Sequence, residues 1–210
     1  RYRGQCNEGA GAQMNMLETI EFAPKIGLNT YMLEFDVPMA YYNLWYSHRH
    51  NPFKEPEPLS PDTVRQWKRV CETEIAKRGL LFHDMGHGWT GEAFGIDTKG
   101  GWNAETRTYP EDVMQYVAMV DGKRSLFGGV PLNTNFCMSN PDARGKVVQY
   151  VADYAESHQN VDFLHIWLAD GTNNHCECPA CAEKTTSDWY IILLNEIDAE
   201  LTRRHLDTRL

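Results

Sequence analysis

The chain has 210 residues, with 20 basic and 29 acidic side chains and a formal charge of -9. That acidic balance argues against nucleic acid or an anionic membrane as main partner, since both select for clustered Lys and Arg. Hydrophobic residues at 42% and charged ones at 23% are ordinary globular usage, and no apolar run reaches the roughly 20 residues of a membrane helix.

The chain opens Arg1-Tyr2-Arg3, as expected of a processed or excised piece. Tyr2 to Cys6 reads as a short strand running into the turn Asn7-Glu8-Gly9. A helix is expected from about Met14 to Pro24, then a strand over Ile26–Phe35. A long loop, 36–60, carries Tyr41, Tyr42, Trp45, Tyr46, His48, Arg49 and His50. Ser60-Pro61 is an N-cap followed by proline at the first helical position. Val64, Trp67, Val70, Cys71 and Ile75 then form one apolar stripe, which Gly79 ends. Leu80–Asp84 reads as a third strand leading into Gly86-His87-Gly88-Trp89, and a Gly- and Trp-rich loop fills 90–110.

Residues 111–120 look helical and Pro131–Ser139 looks like a fourth strand. Asn140-Pro141 repeats the cap-then-proline signal, with Val147, Val148, Val151, Tyr154 and Ala155 as the buried face. Val161–Leu168 is a fifth strand, followed by Ala169-Asp170-Gly171-Thr172-Asn173-Asn174 and a knot of cysteines. Ser187 caps a last helix with Ile191, Leu194, Ile197, Asp198 and Leu201 along one side, and Asp207–Leu210 leads toward another strand.

Five β–loop–α units in series imply a parallel sheet with right-handed crossovers. The nucleotide fingerprints are absent, since Gly86-His87-Gly88-Trp89 is neither G-x-G-x-x-G nor a P-loop. Long loops after the strands favour the catalytic face of a (β/α)8 TIM barrel. The fold expected is therefore α/β: a partial barrel of about five β/α units with parallel strands, residues 1–210 forming one domain that is a fragment. A partner copy covering its open edges would make it a homo-oligomer.

The polar and unusual residues fall at one end of these strands, where a parallel sheet gathers them into a single mouth. Asp170 follows an apolar strand and sits near Trp167, so burial would keep its carboxyl protonated, as a general acid requires. The alternative is a simple turn at Asp170-Gly171. His83 and His87 are a second pair, but four strand residues span about 13 Å, too far for one metal unless the chain turns. His87 suits a hydrogen bond to a ligand hydroxyl, and a structural role is the default for His83. The aromatic loop 41–50 is either a sugar-stacking platform, with Trp45 facing the pocket, or a small core of its own.

Six cysteines are present, three of them in His175-Cys176-Glu177-Cys178-Pro179-Ala180-Cys181. Bridging inside Cys-x-Cys is geometrically poor, whereas three thiolates in one turn cover three corners of a tetrahedral metal. His175 is adjacent, but consecutive ligands strain the chain. Cys137, ending the neighbouring strand, is the preferred fourth ligand to a structural zinc. Cys6 and Cys71 read as ordinary buried thiols. A reduced cysteine cluster favours the cytoplasm.

The run Cys137-Met138-Ser139-Asn140-Pro141, the segment Trp167-Leu168-Ala169-Asp170-Gly171, the cysteine knot and Ser187-Asp188-Trp189-Tyr190 together resemble the bacterial family DUF4838. Asn29 and Gly86-His87-Gly88-Trp89 belong to the same resemblance. It implies a glycoside-hydrolase-type TIM barrel, distantly akin to hexosaminidase and α-glucuronidase barrels, of which this chain holds the first five units. It also implies an Asp before the cysteine knot, matched by Asp170, and a fourth thiolate ligand, matched by Cys137.

The function expected is a glycoside hydrolase acting on a carbohydrate, an amino sugar or uronic acid. Asp170 is its acid, and a second carboxylate comes from Glu8, Glu34 or Glu92 or from strands beyond this chain. Trp89, Trp167, His87, Asn173, Arg49 and Trp45 would hold the sugar, while Cys137, Cys176, Cys178 and Cys181 hold zinc. The rivals are a noncatalytic carbohydrate-binding barrel and a zinc-dependent amide hydrolase using His83 and His87.

Overall fold

The structure, a computed structural model, describes residues 1–7, 16–34 and 46–210. The expectations placed on Glu8, Tyr41, Tyr42 and Trp45 therefore lie outside the described residues. The chain forms two units, one of Arg1–Gly86 with Asn160–His165 and one of His87–Gln159 with Ile166–Leu210.

The first unit is built on strands β1 (Gly4–Asn7), β2 (Thr30–Glu34), β3 (Leu81–Gly86) and β6 (Phe163–Ile166) in the order β1-β2-β3-β6, a parallel sheet. Register pairs Tyr31 with Phe82 and Leu33 with Asp84, so these four side chains share one face. Helices α1 (Met16–Phe22) and α2 (Pro61–Lys77) belong to the same unit. Burial of β2 and β3 is nearly continuous, which is how a parallel strand covered on both faces reads.

Helix α2 starts where the sequence indicates, with the Ser60 hydroxyl accepting from the Thr63 N–H at 3.1 Å. Its buried stripe differs from the one expected. Val64, Lys68, Cys71, Glu72 and Ile75 are inside, whereas Val70 is 48% exposed. The reason is an ion cluster: the Lys68 ammonium lies 2.6 Å from Asp84 Oδ2 on β3 and 3.2 Å from Glu72 Oε1. Paired charges can be buried where single ones cannot. Cys71 is buried as expected, and burial pushes its thiol up to about 11. Cys6 is instead exposed, on strand β1 at the sheet's edge, with its sulfur 3.8 Å from Met85 Sδ.

The alternate β3 side chain, His83, pairs Nδ1 with His165 Nε2 at 2.9 Å and stacks on Phe163 at 4.3 Å. Burial holds both imidazoles below their ordinary value of 6.5, and for His83 the neighbouring His165 adds to the effect.

In the second unit, helices α3 (Trp89–Glu92) and α4 (Glu111–Met114) are short, and α5 (Pro141–Ser157) and α6 (Thr186–Arg203) are long. The Asn140 side chain caps α5 by accepting from the Asp142 and Ala143 N–H groups, as its sequence signal promised. Helix α6 is capped by Thr185 rather than Ser187, because Thr185 and Asp188 exchange hydrogen bonds in a capping box. Its buried residues are Leu193, Ile197, Glu200 and Leu201, and Ile191 is exposed.

Two other expectations fail here. Pro131–Ser139 is not a strand. Pro131–Asn133 is a 3-10 turn in which the Asn133 and Thr134 N–H groups bond Val130 and Pro131 carbonyls, so those donors are unavailable to a ladder. Beyond it lies a single antiparallel bridge between Val117 and Phe136. The helix expected over 111–120 stops at Met114, and Met119–Val120 (β4) pairs antiparallel with Lys123–Arg124 (β5). Asp121 and Gly122 form the turn with φ of 50 and 73, the left-handed pair that two-residue hairpins favour. Among the described residues no helix is long and apolar enough to cross a membrane.

Replacing Lys68 by Ala leaves Glu72 and Asp84 buried without their shared cation. Urea denaturation is expected to show a loss of about 3–5 kcal/mol. For the histidine pair, the lowered native values mean that the unfolded chain binds the extra proton first. Stability is therefore complete above about pH 6.5 and falls as the pH drops through the native values. The unfolding midpoint should decline as the pH falls below about 6.5, and the double change H83Q/H165N should flatten that decline.

Candidate metal centre and the Asp170 loop

Four thiols from two segments converge in the second unit. The knot folds as a tight turn, in which the Ala182 N–H bonds the Cys178 carbonyl at 3.0 Å and the Cys181 N–H lies 3.4 Å from Cys178 Sγ. Cys137 enters from the segment after Phe136, whose Cys137 N–H bonds the Tyr116 carbonyl at 2.7 Å. The β4–β5 hairpin closes the third side: the Met119 N–H lies 3.3 Å from Cys176 Sγ, and the Glu177 N–H bonds the Met119 carbonyl at 2.7 Å.

The four sulfurs lie within 4.8 Å of one another, and all four residues are buried. Cys137 Sγ is 3.7 Å from Cys178 Sγ and 3.8 Å from Cys181 Sγ, and none of the cysteines is in a disulfide. Thiolates at about 2.3 Å from a tetrahedral ion would stand about 3.8 Å apart. The donor set thus fits a metal ion in both chemistry and spacing. Donors surround it: the Ser139 N–H lies 3.4 Å from Cys181 Sγ, and Arg124 Nη2 lies 3.8 Å from Cys137 Sγ. Such contacts orient ligands and offset buried thiolate charge. Hydrogen bonding from Cys176 lowers the Cys137 thiol below its ordinary value against the effect of burial, and the same bond pushes Cys176 up. A cavity of about 460 Å³, lined in part by Cys176, Cys181, His175, Lys184 and Trp189, adjoins the cluster and gives an entering ion a path. Exposed His175 is not among the four.

The loop after β6 carries Asp170. Its Oδ2 accepts from the Trp102 indole N–H at 2.6 Å, and its Oδ1 accepts from the Gly171 N–H at 2.8 Å. Gly171 has φ of 103, which a side chain rarely tolerates. The Asp170 N–H bonds the Leu132 carbonyl at 3.1 Å. His87 Nδ1 donates to the Leu168 carbonyl at 2.7 Å, so Nε2 is the ring's acceptor, and the half-buried Trp167 meets the His87 ring edge-on at 5.0 Å. Asn173 is exposed with φ of 57.

Other residues singled out in the sequence have different surroundings. Trp89 is 1% exposed and packs edge-on against Tyr150 and Tyr154, so its ring is core rather than a face offered to sugar. Glu92 accepts from the Thr98 N–H and hydroxyl and pairs with Lys99 at 3.0 Å, which fixes the start of the 90–110 loop. Glu34 is buried and Arg49 exposed, both in the first unit. Among the described residues His83 and His87 belong to no group of three or more side chains able to hold a metal. Sequence reasoning missed Trp102, because its loop has no periodicity to read. It also missed Arg124, to which the Asp121-Gly122 hairpin signal was the one available pointer; Asn135 and Asn174 are among the polar residues the sequence places at the strand ends, but their bond to each other is not legible there.

No family model and no curated protein matches the chain. Its fold is similar to that of solved glycoside hydrolases. A GH36 α-galactosidase from Geobacillus stearothermophilus in complex with 1-deoxygalactonojirimycin superposes with TM-score 0.52 at 12% identity, over 96% of this chain and 27% of the other. A further variant of that enzyme in complex with stachyose gives 0.52 at 11%, over 99% and 27%. The chain thus spans about a quarter of the length of these relatives. The class defined is a mixed α/β fold with a parallel four-stranded sheet, glycoside-hydrolase-like, carrying a four-cysteine cluster able to hold a metal ion.

Titrating the reduced chain with a divalent metal against a competing chelator is expected to saturate at one ion per chain and to release protons, since thiols deprotonate on ligation. Cys137→Ser should weaken that affinity about tenfold or more.

Proposed function

We propose that this chain forms the early βα units of a (β/α)8 glycoside-hydrolase-like barrel of the DUF4838 kind and acts on a carbohydrate. The observation that carries the reading is Asp170. It is a half-buried carboxylate in the loop after β6, oriented by an indole N–H at 2.6 Å and a backbone N–H at 2.8 Å. The barrel-enzyme likeness of the fold supports the same reading, because loops that follow barrel strands carry catalytic groups.

In this reading Asp170 protonates the leaving glycosidic oxygen. Its partner is a second carboxylate, about 5–5.5 Å away for retention or 6.5–9.5 Å for inversion. The other carboxylates the sequence nominates are Glu34, in the first unit, and Glu8, outside the described residues. Glu92 is a poorer choice, since Lys99 and Thr98 already engage its oxygens. The His87–Trp167 pair, with its imidazole acceptor and aromatic edge, and Asn173 contact the sugar. The cluster binds zinc in a structural role, as four thiolates leave no position open for water. Among the described residues, His83 and His87 join no group of three side chains able to hold the metal that an amide hydrolase needs.

The test is a panel of aryl glycosides on the protein that contains this chain. Turnover of at least one is expected, with Asp170→Asn lowering kcat/KM by about 10²–10⁴-fold. Turnover unchanged by Asp170→Asn would remove Asp170 from the chemistry, and binding without turnover would favour a noncatalytic carbohydrate-binding barrel.

A further inference from the structure

Two buried amides stand between the sulfur cluster and Asp170. Asn135 and Asn174 are 5% and 6% exposed. Each precedes a thiol by two positions in the sequence: Asn135 before Cys137, Asn174 before Cys176. They bond to each other, Asn135 Nδ2 donating to Asn174 Oδ1 at 3.0 Å and to its carbonyl at 3.3 Å. Both also hold the Asp170 loop. Asn135 Oδ1 accepts from the Ala169 N–H at 3.2 Å, and Asn174 Nδ2 donates to the Asp170 carbonyl at 2.8 Å. The same Asn174 amide donates to the Asn133 carbonyl at 2.8 Å, so the 131–135 turn and the 169–174 loop are stitched together.

We infer that Asn135 and Asn174 are positioning residues that fix Asp170 relative to the thiolate-bound metal, so that an ordered sulfur cluster sets the direction of the Asp170 carboxylate. The physical ground is that a buried amide must satisfy its polar groups. Asn174 uses both of its amide hydrogens, on two different loops. A shift of one segment relative to the other would break several of these buried bonds at once, which couples the two loops. The bond from the Asp170 N–H to the Leu132 carbonyl joins the same two segments, and the Asp170 side chain itself is held by an indole and its own neighbour's N–H. The catalytic consequence rests on the reading of Asp170 as the acid, but the positioning itself does not.

The experiment uses two samples: the cobalt(II)-loaded protein, whose thiolate absorption reports the sulfur site, and the diamagnetic zinc(II)-loaded protein for magnetic resonance. The readout at Asp170 is the nuclear magnetic resonance of the Trp102 indole N–H, identified by its loss in Trp102→Phe. In the parent that resonance is expected downfield, as a short bond to a carboxylate requires. Asn174→Ala and Asn135→Ala are each expected to retain the cobalt–thiolate absorption while the resonance moves upfield, and the double variant should do no more than either single one. Where the parent hydrolyses a glycoside, kcat should fall about tenfold or more with KM little changed.

An unmoved Trp102 resonance in a zinc-loaded variant that also takes up cobalt overturns the inference. Loss of cobalt uptake in both variants also overturns it, since the pair would then build the sulfur site rather than link it to Asp170. A parent without glycosidase turnover whose resonance responds as expected upholds the positioning role and sinks the proposed function alone.

Discussion

Four thiols within 4.8 Å in a buried place are an electrostatic problem before they are a site. Deprotonated and alone, they would repel one another in surroundings that solvate charge poorly. A divalent ion at their centre would remove the repulsion, and Arg124 with the Met119, Ser139 and Cys181 N–H groups is placed to offset part of the remainder. The knot contributes little regular structure of its own, so these sulfurs tie it to Cys137 and to the β4–β5 hairpin. Residues far apart in sequence thereby acquire one fixed geometry. The Asp170 loop inherits that geometry because it runs directly into Cys176.

Much of this was legible where the sequence states local chemistry. Ser60-Pro61 and Asn140-Pro141 announce helices that begin there, and Cys137 with the Cys-x-Cys-x2-Cys run announces the cluster. The failures share a cause, which is that tertiary partners override a local pattern. Pro131–Ser139 has strand-like composition, but Pro131 and the Thr134 hydroxyl commit the backbone to a turn. Lys68 and Glu72 look like the solvated side of α2 until Asp84 stands opposite them. Ser187 is a plausible cap in isolation, yet Thr185 wins because Asp188 lies three residues on and reciprocates. Trp89 looked like a sugar platform because exposure cannot be read from residue type.

The fold likeness to α-galactosidases speaks to architecture, and the chemistry must come from the site. There the structure gives Asp170 two donors and leaves its neighbourhood furnished with an imidazole acceptor, an aromatic edge and exposed Asn173. Both carboxyl oxygens of Asp170 are thereby held by N–H donors. This differs from a turn cap, which needs only the bond to Gly171. The long indole reach from Trp102, across 68 positions of sequence, is the feature a simple turn does not explain.

X-ray absorption at the metal edge of the purified, reduced protein tests the central constraint most directly. The account predicts a first shell of four sulfurs at about 2.3 Å. A shell containing nitrogen or oxygen, or reduced protein that holds no metal at all, would contradict it.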